Sequence, residues 1–349
     1  MAASRASEPI AIARRARVSP VVFVTMAVGL FGLWLATLLG GLHITRDVDD
    51  FATAGMAAAA AISCAVAGGH HLGGARRFWR LLAAAMAAWT IGEAVWAYYD
   101  LVLGRHVPVP SYADVGYLGA IPLAIAALFS HPHNRGNREV RLRATLDGFV
   151  LATSLLFLSW SFILGAVWSR SDLSGAARLV TLAYPFGDVV VVFLLIRALR
   201  SLEGPDRIAF SWILVGLLAM SLSDSGYTYL SAVRGYHSGS LIDIGWFAGY
   251  LAVAVGAWHG RRPQRPPRRV AAPSTSLALL TPFVPVLLAL SVFTVKAQLG
   301  SPIDHLSLVL AGTLTVSVLL RQAIAVLYPP PRLAPEPAVV GFDDQDRTS

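Results

Sequence analysis

The chain has 349 residues, 56% of them hydrophobic and only 14% charged, and its mean hydropathy is +0.61. Soluble domains carry about 25% charged residues, so the composition excludes a soluble core and predicts an integral membrane protein. The net charge of +8 does not point to nucleic acid, because the arginines recur in short clusters between apolar runs; the single Cys64 excludes a disulfide framework and a Cys-based metal site.

The first element follows Arg14-Arg15-Ala16-Arg17 and runs from about Val21 to Leu42. A signal peptide has an apolar core of about 7–15 residues and a small-residue cleavage site. This stretch is longer, and Leu42-His43-Ile44-Thr45-Arg46 offers no such site. A retained first helix is expected. In all, ten spans of about 20 residues, the length that crosses a bilayer, are read at 20–42, 51–68, 78–101, 113–130, 144–168, 178–199, 208–232, 241–259, 276–297 and 304–327. The Ala-rich second span is the weakest of them. Each should be a helix, because lipid offers no water to satisfy an open backbone. The expected fold is therefore an all-α polytopic bundle. A basic N-terminal tail (1–19) precedes the transmembrane domain (20–327), and a Pro-rich C-terminal tail (328–349) follows it.

The basic residues set the orientation. With the N-terminus in the cytoplasm, 22 of the 28 arginines and lysines fall on the inner side and 6 on the outer. That asymmetry predicts ten spans with both termini cytoplasmic, in a cell membrane. The basic, Pro-rich loop at 260–269 reads as a topology anchor.

Two stretches resemble each other. Ser111-Tyr112-Ala113-Asp114-Val115-Gly116-Tyr117 matches Ser240-Leu241-Ile242-Asp243-Ile244-Gly245-Trp246. Upstream, Glu93-Ala94-Val95-Trp96-Ala97-Tyr98 matches Asp224-Ser225-Gly226-Tyr227-Thr228-Tyr229. The second unit lies four spans after the first and so has the same orientation. This suggests parallel repeats, spans 1–4 and 5–8, with two spans appended.

Ionisable groups inside a membrane are costly and mark functional sites by default. Glu93, Asp188 and Asp224 lie within spans, and Asp114 and Asp243 open two more; the topology puts all five on the outer side. With Tyr98, Tyr184, Tyr227 and Trp246 they form the candidate ligand-binding set: an acidic, aromatic-lined cavity open to the outside. Carboxylates beside aromatic faces suit a small cation or amine. Plainer roles stand beside this one. Asp114 and Asp243 are placed to cap helices, and the other three to bond across helices as structural glue. Asp147, near Arg143, reads as a helix-start acid with an ion pair. Pro185 and Gly187 interrupt the sixth span, which should then face the bundle interior. His70, His71, His131 and His133 lack the spacing for haem or zinc, and Lys296 reads as a snorkelling side chain. No catalytic or nucleotide-binding motif is present, so neither a catalytic residue nor a cofactor is expected.

Ser111-Tyr112-Ala113-Asp114-Val115-Gly116-Tyr117-Leu118, Leu146-Asp147-Gly148, Ala183-Tyr184-Pro185-Phe186-Gly187-Asp188, Ser223-Asp224-Ser225 and Asp243-Ile244-Gly245-Trp246 together resemble the membrane-embedded N-terminal region of actinobacterial GGDEF/EAL signalling proteins. The likeness covers most of residues 80–260. Those proteins carry a cyclic-di-GMP cyclase or phosphodiesterase domain after the last span. Here no Gly-Gly-Asp-Glu-Phe or Glu-Ala-Leu signature follows span ten. The resemblance implies a sensor-like membrane module without catalytic output. Its expected partners are the lipid bilayer, a small ligand or cation on the extracytoplasmic side, and a separate cytoplasmic signalling protein. The rival expectation is a secondary transporter coupled to protons or cations.

Overall fold

The computed structural model describes residues 19–131, 138–165, 168, 174–199, 202, 204–233, 235–261, 283–300 and 304–327. Both expected tails lie almost wholly outside this set, as do the 262–282 linker, His133 and the side chain of Arg143. Among the described residues the regular structure is all helical. In chain order the helices are α1 (Pro20–Thr37), α2 (Gly41–Gly69), α3 (Gly73–Ala97), α4 (Tyr112–Ser130), α5 (Arg138–Ser159), α6 (Gly175–Leu199), α7 (Gly204–Val233), α8 (Ile244–Gly260), α9 (Phe283–Gln298) and α10 (His305–Leu327). A π-helical turn at Tyr98–Val102 extends α3, another at Trp160–Leu164 extends α5, and a 3₁₀ turn at Leu241–Asp243 opens α8. Among the described residues nine helices are long and apolar enough to cross a membrane; α9, at Val286–Gln298, is a shorter apolar one. The chain is a helical, multi-pass membrane bundle.

One boundary differs from expectation in a way that matters. The second helix begins at Gly41, not at residue 51. Leu38 adopts the left-handed conformation and Gly40 follows with φ 92°, a value an L side chain rarely takes. This tight turn ends α1 early. The charged run His43 to Asp50 then becomes the first turns of a 29-residue α2 rather than a loop.

Six helices close a ring. Its order is α2, α3, α4, α6, α7, α8 and back to α2, each packed on the next. The order repeats after three members, as two parallel four-helix units related by a pseudo-twofold would require. The helices outside the ring are α1, which packs on α8, and α5, which packs on α6. Helices α9 and α10 lean on α5, where Val150, Phe157, Val286, Ala289, Leu310 and Leu314 form a separate apolar core.

Small residues set the spacing at the tightest seams. A Cβ on Gly116 of α4 would lie 2.6 Å from the Ala88 carbonyl oxygen and 2.6 Å from the Gly92 nitrogen. A Cβ on Gly245 of α8 would lie 2.6 Å from the Ala219 carbonyl oxygen. Both glycines belong to the Ser-x-x-Asp-x-Gly motif, and Ala88 and Ala219 are equivalent in the two units. Without a hydrophobic drive between helices in lipid, this backbone approach supplies the packing. Half of the ring is then filled by side chains, among them Phe78, Leu82, Met86, Leu195, Phe210 and Val253.

Candidate functional site

The other half of the ring is hollow. A cavity of about 100 Å³ opens among the helices at the end carrying the α3–α4 and α7–α8 loops, hereafter the mouth end. Seven carboxyl side chains line it, from Asp49, Asp50, Glu93, Asp114, Asp188, Asp224 and Asp243. Eight aromatic side chains share the wall, and no Lys, Arg or His is among the lining residues. Val107, Pro108 and Val109 of the α3–α4 loop also contribute to its wall.

The helix-opening acids of the two repeats are capped in a matching way. At α4, the Ser111 amide donates to Asp114 Oδ2 at 2.5 Å; at α8, the Ser240 amide donates to Asp243 Oδ2 at 2.8 Å. These are capping boxes, so both aspartates do cap their helices. They also face the cavity, because a carboxylate has acceptor capacity to spare. The second oxygen of Asp114 accepts the Tyr184 hydroxyl, and that of Asp243 accepts the Tyr236 hydroxyl at 2.9 Å. One helix back, Glu93 takes the Tyr250 hydroxyl at 2.7 Å and lies beside the Tyr117 hydroxyl. Asp224 takes the Trp246 ring N–H at 2.8 Å. Tyr117 and Trp246 are the aromatic residues that end the two repeated motifs.

The Pro185 segment of α6 turns one face to the cavity. Tyr184 and Asp188, one turn apart, both line the cavity, while Phe186 between them is exposed. Pro185 has no N–H for the carbonyl of Thr181, and Thr181 is itself part of the cavity wall. Asp188 accepts the Ser221 hydroxyl at 2.7 Å and sits against Asp224.

Eight of the nine side chains expected from the sequence therefore converge. The exception is Tyr98, which is half exposed on the π turn beyond α3, packs edge-on to Tyr99 and is not among the lining residues. Its counterpart Tyr229 is exposed as well. At about 100° per residue, the aromatic three positions after an acid stays on the acid's face. The one five positions after it turns away.

The structure adds residues that the sequence did not single out. Asp49, Asp50 and Thr53 come from the early start of α2, and all three are buried. Asp49 Oδ2 accepts the Gly239 amide at 2.8 Å, and the same amide lies 2.9 Å from Asp243 Oδ2. Tyr236 joins Trp96, Tyr227 and Trp246 in one aromatic cluster, with ring centroids 4.9 to 6.2 Å apart. Arg46 lies close enough to Asp50 to interact with its charge and forms a two-pronged ion pair with Asp100. The signal for these residues was present: five ionisable side chains from His43 to Asp50, next to a Gly-Gly turn.

Other polar residues singled out in the sequence pair or pack away from the cavity lining. Asp147 pairs with Arg321 of α10 at 2.9 Å, and the side chain of its expected partner, Arg143, lies outside the described residues. The His71 ring sits 2.5 Å from the Gly260 carbonyl oxygen. His131 packs edge-on against Phe78 and Phe210. Lys296 donates to the Ser161 carbonyl at 2.8 Å. No group of three or more His, Cys, Asp or Glu among the described residues is arranged to hold a metal ion. No family model matches this chain, and neither a curated protein nor a solved structure matches it.

Proposed function

We propose that this chain is a receptor-like protein of the cell membrane that binds a small positively charged ligand from the extracytoplasmic side. The observation that carries the reading is the cavity wall: seven carboxyl groups and eight aromatic rings with no cationic side chain among them. Buried acids without cations are expensive unless protons or a ligand neutralise them. Aromatic faces add attraction for a cation. The distribution of Arg and Lys, 22 of 28 on one side, supports an extracytoplasmic mouth end and cytoplasmic termini. The packed half of the ring forms a floor beneath the cavity, which favours capture and signalling over an open pore. Binding would shift helix packing, and a separate cytoplasmic partner would read the loops. This reading assigns the chain no reaction of its own. The resemblance to the membrane regions of GGDEF/EAL proteins points the same way.

A second reading, a cation- or proton-coupled transporter, is favoured by the pseudo-twofold order of the ring and by Pro185 in a cavity-lining helix. Two measurements on the purified chain decide. In nanodiscs, small organic cations should bind saturably, and Asp188→Asn with Asp224→Asn should weaken that binding. In proteoliposomes the same labelled cations should not accumulate. Accumulation would replace the receptor by the transporter, and absence of any cation binding would remove both.

A further inference from the structure

The acids of the cavity are not equivalent. On α6, α7 and α8, Asp188, Asp224 and Asp243 each accept a hydrogen bond from a protein donor, as do Glu93 and Asp114. The α2 wall is filled less completely: Asp49 Oδ2 accepts the Gly239 amide, but other oxygens there stay unfilled. Asp49 Oδ1, Asp50 Oδ2 and Thr53 Oγ1 are buried atoms without a hydrogen-bond partner among the described residues. Their side chains are at least nine-tenths hidden, with residue exposures of 3%, 6% and 5%, and all three line the cavity. The Thr53 hydroxyl lies beside the Asp49 carboxyl without closing a hydrogen bond. Native proteins rarely leave buried polar atoms unpaired, and each costs free energy until something fills it. Thr53 lies four positions after Asp49 and three after Asp50, so on the helix surface it neighbours both acids, and all three residues line the same cavity.

From these orphan acceptors we infer that the ligand is a primary ammonium, its N–H groups docked on Asp49, Asp50 and Thr53 and its carbon chain against the aromatic wall. This rests on the cation-binding reading above and makes it specific. An ammonium brings three donors, the number of unfilled acceptors, and a positive charge for two carboxylates. A quaternary ammonium has no N–H group and would leave all three unpaired. A neutral alcohol offers one donor and no charge.

The test uses the full chain in nanodiscs and three probes of similar skeleton: butylammonium, butyltrimethylammonium and 1-butanol. Trp89, Trp96 and Trp246 line the cavity, so tryptophan fluorescence reports occupancy, with calorimetry as a check. Butylammonium should bind saturably, the trimethyl analogue about tenfold or more weaker, and butanol not measurably. A hydrogen bond to a charged group is worth about that factor or more. Thr53→Val and Asp50→Asn should each weaken butylammonium by about tenfold or more, while Thr53→Ser keeps wild-type affinity. Elution profile and thermal midpoint identify folded variants; if Asp50→Asn does not fold, the Thr53 pair and the probe series still decide. Equal binding of the two cations, or indifference to Thr53→Val, would overturn the ammonium assignment and leave a cation receptor standing. Binding of neither cation would overturn the receptor reading with it.

Discussion

Adding one methyl group at Gly116 should pry the two helices of the first repeat apart. The new Cβ would meet the Ala88 carbonyl oxygen and the Gly92 nitrogen at 2.6 Å, where ordinary contact begins at 3.4 Å. These are backbone atoms and cannot rotate aside, so α4 must retreat from α3 by roughly 0.8 Å along that contact. Overpacking of this kind costs about 1–3 kcal/mol. Better helix propensity returns up to about 1 kcal/mol for Gly→Ala. The net expectation for Gly116→Ala is a loss of about 0–2 kcal/mol, against a gain at an unhindered glycine. Gly119 provides the control, because it lies on the same helix with nothing within 4 Å of its would-be Cβ. Gly119→Ala should be neutral or slightly stabilising. Both variants can be unfolded by SDS titration in mixed micelles, with thermal midpoints as a second reading. Gly116 stands two residues after Asp114 and one before Tyr117, so the displaced α4 should also weaken cation binding. If Gly116→Ala matches Gly119→Ala in stability, the close backbone seam between α3 and α4 is wrong.

Asp304 caps α10, with Oδ1 accepting the Ser307 amide at 2.6 Å and Oδ2 accepting the Trp160 ring N–H at 2.8 Å. Desolvation is the largest single influence on its carboxyl and pushes upward, but these hydrogen bonds together outweigh it and hold the group below the usual carboxylate range. A depressed folded-state value means stability that is present at neutral pH and lost as pH falls through that range. Asp304→Ala should thus cost about 1 kcal/mol near pH 7, and its thermal midpoint should converge with wild type on acidification; a constant gap would refute the cap. For the Arg46–Asp100 pair, a double-mutant cycle of Arg46→Gln and Asp100→Asn should give a coupling of about 1 kcal/mol that shrinks with salt; a coupling of zero would mean the two prongs seen here do not persist. Reporter fusions at Gly136 and Gly260 should report the cytoplasm, and fusions at Gly104 and Ser238 the exterior. Two reversed reporters would overturn the orientation.

The membrane fold was legible because lipid leaves so few options: length and apolarity alone define spans, and the structure keeps the expected helices with shifts at their ends. The repeat was legible through Ser111-x-x-Asp114 and Ser240-x-x-Asp243, whose capping chemistry needs those residue types at that spacing. What misled was the charge density from His43 to Asp50. It lowers local hydropathy enough to mimic a loop, and only the Leu38–Gly40 turn turns it into helix. Tyr236 and Tyr250 were hidden for opposite reasons. The first sits in a loop with no periodicity to place it. The second is one aromatic in an apolar helix, and nothing local tells a core-facing tyrosine from one that donates to Glu93. Tyr98 was included on spacing alone, and two extra positions along a helix were enough to rotate it out of the wall.

The amide of Gly239 has a bearing on how the protein is made. It reaches Asp49 from 190 residues further along the chain, and α8, which carries Asp243, completes the ring only after that. At about 5–20 residues per second of synthesis, α2 would hold the Asp49 carboxyl without its partner for about 10–40 s. During that interval α3 and α4 are in place, but the last wall of the cavity does not yet exist. Nascent chains should therefore pass through a vulnerable stage in the membrane that ends abruptly when α8 emerges. Pulse–chase of nested truncations would expose it as a step in half-life between chains ending before residue 235 and chains that include residue 260; a smooth rise with length would show that α2 needs no late partner.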